Sequence, residues 1–139
     1  MLKSLDIPTP DFFVVADPID IQIPESMTFP LFIKPVTGGC SLGIERENLV
    51  FNQESYVAVC KKLINTFDRP VIAEEFLNGR EFTVGLLGNA PPRSLPILEF
   101  INHAKKAYYF RSFTSKMIID EHEQESCPAA VSKKKRRAR

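Results

Sequence analysis

The chain has 139 residues, 44% of them hydrophobic and 25% charged, with a formal net charge of +1. This is ordinary globular composition, and the near-balanced charge gives no whole-chain case for nucleic-acid binding. The length suits one compact domain with at most a fragment of a second.

Three cysteines, Cys40, Cys60 and Cys127, have no regular spacing. An odd, irregular set argues against a disulfide framework and a zinc site and suits a reducing compartment. No long apolar run follows Met1-Leu2-Lys3, so no secretory signal is expected. No stretch approaches the roughly 20 apolar residues of a membrane helix. A cytoplasmic protein with no membrane partner is expected. Positive charge concentrates at Lys133, Lys134, Lys135, Arg136, Arg137 and Arg139. Such a run is more often a solvated helix face than a nucleic-acid arm.

In chain order, the prolines of Ile7-Pro8-Thr9-Pro10 hold extended backbone that leads into a short strand, Phe12-Phe13-Val14-Val15. Residues 17–29 are rich in proline and polar side chains and read as loop, with room for one short helical turn. Pro30-Leu31-Phe32-Ile33-Lys34-Pro35-Val36 is a continuous apolar strand interrupted by Lys34, which suggests burial on both faces. Residues 37–43 contain Gly38, Gly39 and Gly43 beside Thr37 and Ser41.

Asn52-Gln53-Glu54-Ser55 reads as a helix start. Tyr56, Val59, Cys60, Leu63, Ile64 and Phe67 follow at helical spacing, and Asp68-Arg69-Pro70 stops the helix. Cys60 lies on the apolar stripe and reads as core. The next strand covers 71–76. Asn78-Gly79 is a turn signal, so 81–87 is expected to run back against 71–76 as an antiparallel hairpin. A turn over 89–94 and a strand over 95–101 carrying Glu99 follow. His103 reads as a loop histidine. Residues 108–119 read as irregular and 120–126 as acidic and mobile. Ser132 is placed to cap a helix that begins the basic run.

Lys34, at a strand end beside a glycine-rich loop, suits a phosphate contact, since loop N–H groups and an ammonium together neutralise polyphosphate charge. The Walker A order is absent. The glycine cluster alone fits a surface turn equally well, and Lys34 alone fits a lysine reaching for water. Glu74 and Glu81 flank the Asn78-Gly79 turn. A carboxylate accepts from an adenine amino group or from ribose hydroxyls, but two glutamates on a turn also fit a plain surface.

Taken together, these stretches resemble the ATP-grasp ligases, most closely the D-alanine–D-alanine ligase family. Ile7-Pro8-Thr9-Pro10 resembles that family's Ile-Pro-x-Pro approach to its central domain. Ile33-Lys34-Pro35 with Gly39-Cys40-Ser41-Leu42-Gly43 resembles its Val-Lys-Pro strand and Gly-Ser-Ser-Val-Gly loop. Residues 74–84 resemble its Glu-Glu-Phe-Ile-x-Gly-Arg-Glu-Phe-Thr-Val segment almost letter for letter, and Ser126-Cys127-Pro128-Ala129 resembles its Glu-Cys-Pro-Ala segment. The matches keep family order and spacing across nearly the whole chain. Cys40 stands where the family usually has serine, and Met117 where it commonly has tyrosine.

The resemblance implies an α+β fold: an antiparallel sheet of about four or five strands under one long helix, followed by part of a second ATP-grasp subdomain. It divides the chain into a lead-in and loop at 1–29, a nucleotide-binding subdomain at 30–88 and the start of the C-terminal subdomain at 89–139. It assigns Lys34 to the α- and β-phosphates of ATP and Gly39, Cys40, Ser41, Leu42 and Gly43 to a loop closing over them. Glu74 would accept the adenine amino group, with Glu75 and the Phe76–Leu77 backbone alongside the ring, and Glu81 would hold the ribose. Lys116 would bind the transferred phosphate, and it and Ser41 are the catalytic candidates.

The implied chemistry is phosphorylation of a carboxylate by ATP, then amine attack on the acylphosphate, joining D-alanine for cell-wall peptidoglycan in a homodimeric parent enzyme. Charge neutralisation and positioning dominate such a step. The family's first-substrate domain and its Mg²⁺ ligands fall outside this stretch, so the chain is expected to be a fragment, inactive as a ligase by itself, with no metal ligands of its own. A different-substrate ATP-grasp ligase, a non-catalytic nucleotide-binding module and a basic-tailed interaction protein are the competing readings.

Overall fold

The computed structural model describes residues 2–100 and 107–110. It divides the chain into two units, the first containing residues 2–77 and the second 78–100 with 107–110. Lys116, Met117, Cys127, Ser132, the acidic stretch 120–126 and the basic run 133–139 lie outside the described residues.

The first unit is built on the helical stripe. Helix α1 spans Gln53–Phe67. Asn52 caps it, its side-chain oxygen accepting the Ser55 N–H at 2.9 Å. Asp68 ends it in the left-handed region (φ 50°), its N–H donating to the Ile64 carbonyl. Tyr56, Val59, Cys60, Leu63 and Ile64 form its buried face.

That face covers a four-stranded antiparallel sheet of β1 (Phe12–Val15), β2 (Leu31–Pro35), β3 (Leu49–Val50) and β4 (Val71–Glu75), in the order β1-β4-β2-β3. Val15, Leu31, Ile33, Val50, Val71 and Ala73 join the helix stripe in one core, with Phe13, Ile21, Ile23, Met27, Phe29, Val57 and Phe67 packed around it. Strand alternation sends Phe12, Val14, Phe32, Lys34, Ile72 and Glu74 to the opposite face. Leu31, Phe32 and Ile33 are all buried, as the continuous apolar run requires. Residues 17–29 form loop, with a turn closed by the Met27 N–H on the Pro24 carbonyl, and no helical turn.

The antiparallel sheet under one long helix matches the expected fold class. The expected hairpin between 71–76 and 81–87 does not form. Both edges of β4 are already taken, by β1 and β2. The segment 81–87 instead splits into β5 (Glu81–Thr83) and β6 (Leu86–Leu87). These pair with β8 (Leu98–Phe100) and β7 (Arg93–Ser94) in the second unit. A short strand therefore lies inside the turn expected at 89–94.

The two pairings make one interrupted ribbon. Val84 and Gly85 separate the outgoing segments, whereas Leu95, Pro96 and Ile97 separate the returning ones. One extra residue on the return side is a bulge, and Pro96, with no N–H, cannot continue the ladder there. Arg80 stands at the base of the ribbon. It donates to both carboxylate oxygens of Glu99 (2.6 and 2.7 Å) and lies 4.8 Å over the Phe82 ring. This guanidinium holds Glu99 below the usual carboxylate range.

Leu63 is 4% exposed at the centre of the stripe. Leu63→Ala should cost about 2–5 kcal/mol of stability, read as a lowered denaturant midpoint with unchanged slope. Cys60 is fully buried. Burial pushes its thiol up to about 11, partly offset by the Tyr56 hydroxyl beside it. In the unfolded chain the thiol ionises near 9, while the folded chain keeps the proton until about 11. The folded state thus binds more protons across that interval, and stability should fall as pH rises through it. Alkaline titration of unfolding midpoints checks this. In native protein at neutral pH, thiol reagents should modify exposed Cys40 and leave Cys60 unmodified, which peptide mass mapping would read.

Candidate functional site

The face of the first unit's sheet that α1 does not cover carries the candidate groups. Lys34 on β2 and Glu74 on β4 are diagonal neighbours, because Phe32 pairs with Glu74 and Lys34 with Ile72. Their side chains meet, Lys34 Nζ donating to Glu74 Oε1 at 2.6 Å. Their side chains are 35% and 19% exposed. Each is the other's counterion, and both keep access to solvent. Apolar side chains occupy the other diagonal: Ile72 opposite Lys34, and Phe32 opposite Glu74, with the Phe32 ring 6.0 Å from that of Phe76. A cation and a carboxylate on one sheet face, beside the part-exposed Ile72 and Phe76, can take a ligand with an anionic end and a polar edge.

The loop after β2 is held by contacts at both ends. At its start the Val36 N–H donates to the Pro70 carbonyl (3.1 Å) and Arg69 donates to the Thr37 hydroxyl (3.1 Å). Within it, Leu42 N–H bonds the Gly39 carbonyl and Ile44 N–H the Ser41 carbonyl. Cys40 (φ 53°) and Ser41 (φ 59°) are successive left-handed residues. For side chains with a Cβ this conformation costs about 1–2 kcal/mol each, so the surrounding contacts must impose it. Successive turned peptides of this kind present N–H groups to one side, the arrangement that receives anions. Gly43 (φ +71°) admits no side chain, because a Cβ there would lie 2.6 Å from the Phe67 ring at the end of α1. Cys40 is exposed and Leu42 is 45% exposed.

At the loop's far end sits Asn48, within a 3-10 turn at Arg46–Asn48. It is the buried polar residue of the described core, 2% exposed. Its Nδ2 donates to the Ile33 and Gly43 carbonyls, both at 2.7 Å, and its Oδ1 accepts the Glu45 N–H at 3.1 Å. Next to it, Glu47 is ion-paired with Lys62 on the outer face of α1. Sequence reasoning passed over 44–51. The signal available there was an asparagine directly before two apolar residues, Leu49 and Val50, which form β3.

The remaining candidates are distributed as follows. Glu75 ends β4, exposed, with its N–H on the Asp11 carbonyl. The Phe76 N–H donates to the Pro30 carbonyl, and Leu77 is 61% exposed. Glu81 is exposed at the start of β5, in the second unit, and pairs with Phe100. The structure thus brings Lys34 and Glu74 together, places Glu75, Phe76 and Leu77 at the end of the same sheet, and puts Glu81 in a different sheet. Among the described residues, no group of three or more His, Cys, Asp and Glu could hold a metal ion, and no helix is long and apolar enough to cross a membrane.

Known proteins resemble the chain in sequence and in fold. A D-alanine–D-alanine ligase of Laribacter hongkongensis is 36% identical over 129 residues, covering 87% of this chain and 40% of that protein. One from Carboxydothermus hydrogenoformans is 29% identical over 121 residues, covering 82% and 38%. The chain therefore spans about two fifths of the length of these relatives. The D-alanine–D-alanine ligase of Coxiella burnetii superposes over 73% of this chain and 29% of its own, with a TM-score of 0.54 at 22% identity, which speaks to the fold. The family model described as the D-ala D-ala ligase C-terminus matches residues 1–138, and the chain belongs to that family.

Proposed function

We propose that this chain carries nucleotide-binding machinery of an ATP-dependent carboxylate–amine ligase of the D-alanine–D-alanine type. The observation that best supports this is the Lys34–Glu74 pair, part-exposed on the open sheet face. Lys34 contacts the α- and β-phosphates. Gly39, Cys40, Ser41, Leu42 and Gly43 form the loop that closes over the phosphate chain, its shape held by the Leu42 N–H on the Gly39 carbonyl, and the Ser41 hydroxyl serves the reacting end. A polyphosphate carries more negative charge than one carboxylate and so competes effectively for Lys34. Its arrival releases Glu74 to accept the adenine amino group, with Glu75 and the Phe76–Leu77 backbone alongside the ring.

Glu81 is assigned to the ribose by its match to the family's segment alone. Lys116, outside the described residues, binds the transferred phosphate. Magnesium accompanies the nucleotide. The described residues hold no cluster fitted to it, so its protein ligands would be other residues. Family membership supports D-alanine as the joined amino acid, and with it a homodimeric cytoplasmic parent serving peptidoglycan synthesis. The division into a lead-in at 1–29, a nucleotide-binding subdomain at 30–88 and a C-terminal portion from 89 follows from the same reading, as does the inactivity of this stretch as a ligase by itself.

Calorimetric titration of Mg-ATP into the folded chain tests the reading. Saturable binding is expected, weakened about tenfold or more by Lys34→Ala, as loss of a charge-assisted contact of about 1.5–3 kcal/mol implies. Absence of binding at millimolar ATP, or a Lys34→Ala variant that binds as well as the parent, would defeat it.

A further inference from the structure

We infer that Asn48 is a positioning residue that sets the spacing between the Lys34-bearing strand and the loop 39–43. The inference rests on the nucleotide reading above and deepens it. Ile33, whose carbonyl accepts from Asn48, directly precedes Lys34. Gly43, whose carbonyl accepts from the same nitrogen, is the last residue of the loop. One side-chain amide therefore fixes both sides of the proposed phosphate site without touching a phosphate.

The chemistry of the position selects asparagine. Two donors and one acceptor are needed within a single short side chain, and Asn offers them with no net charge. An aspartate would set an oxygen against two carbonyl oxygens and add negative charge beside the proposed phosphates. A lysine could not accept the Glu45 N–H. A glutamine carries one more methylene than a site 2% exposed can hold without displacement. The pairing of β2 with β3 stops at Phe32–Leu49, so the Asn48 amide replaces the next rung of the sheet at Ile33. The sheet edge and the loop are joined through that amide.

Positioning and mere stabilisation make different predictions. Residue-resolved amide exchange by NMR, with calorimetric Mg-ATP titration, would be run on the whole chain as wild type, Asn48→Ala and Leu63→Ala. Leu63 serves as the control because it is a buried core residue on α1 and belongs neither to the loop nor to the proposed site.

In Asn48→Ala the Leu42, Ile44 and Glu45 amides should exchange at least about tenfold faster and ATP affinity should fall about tenfold. Leu63→Ala, though destabilising, should leave the ATP affinity of the folded protein unchanged. Wild-type exchange at those three amides in a folded Asn48→Ala protein would overturn the inference. So would an equal loss of ATP affinity in Leu63→Ala. Should Asn48→Ala not fold, Asn48→Ser takes its place, and rapid exchange of the Glu45 amide in the wild type would by itself sink the proposal. If the wild type binds no ATP, the nucleotide reading fails, and the loop-amide comparison still judges the clip.

Discussion

The register of β2 against β4 is the constraint on which the first unit depends. Ile33 and Ala73 pair directly and both are fully buried against α1. Because strand side chains alternate, the same register puts Lys34 and Glu74 on the opposite face. A slip of β2 by one residue would bury the Lys34 cation under the helix and expose Ile33, and a slip of β4 would do the same with Glu74 and Ala73. Either change is costly, the burial of charge most of all. Hydrophobic packing on the helix side therefore dictates the chemistry presented on the other side.

What that open face offers is a compromise between solvation and pairing. Fully exposed, the Lys34–Glu74 pair would contribute little to stability. Fully buried, it would carry a desolvation cost that its own attraction need not offset. Its partial exposure leaves it ordered yet open to exchange with a ligand that carries more charge. The strained residues Cys40 and Ser41 follow the same logic. Contacts at Thr37, Gly43 and Asn48 hold the loop in a conformation it would not choose by itself, and left-handed non-glycine residues of this kind tend to persist where a ligand is received.

The second unit illustrates how pairing capacity overrides local signals. Asn78-Gly79 is a strong turn signal, but a hairpin needs a free edge on the preceding strand, and β4 has none. The chain pairs 81–87 with later residues instead. Arg80 and Glu99 then meet across the ribbon, an ion pair between residues distant in sequence. The second unit's Phe82, Leu86, Leu87 and Ile97 remain substantially exposed, as expected of a two-stranded ribbon, which has little core of its own.

Helix α1 was legible in the sequence from its cap at Asn52, its apolar spacing and its stop at Asp68, because all three signals are local. Strands β1, β2 and β4 were legible from their apolar runs for the same reason, as was the chemical promise of Lys34, the glycine loop and Glu74. Strand β3 was not legible, because two residues carry no period. The role of Asn48 was hidden because an asparagine acquires three bonds only when Ile33, Gly43 and Glu45 converge on it. The meeting of Lys34 with Glu74, separated by forty positions, likewise awaited the strand order. Local spacing and side-chain type were enough to read α1, β1, β2 and β4 and the chemistry of Lys34, the glycine loop and Glu74. Strand pairing, the face each charge occupies and the polar group that clips the loop were set by long-range contacts, since each depends on residues far apart in the chain.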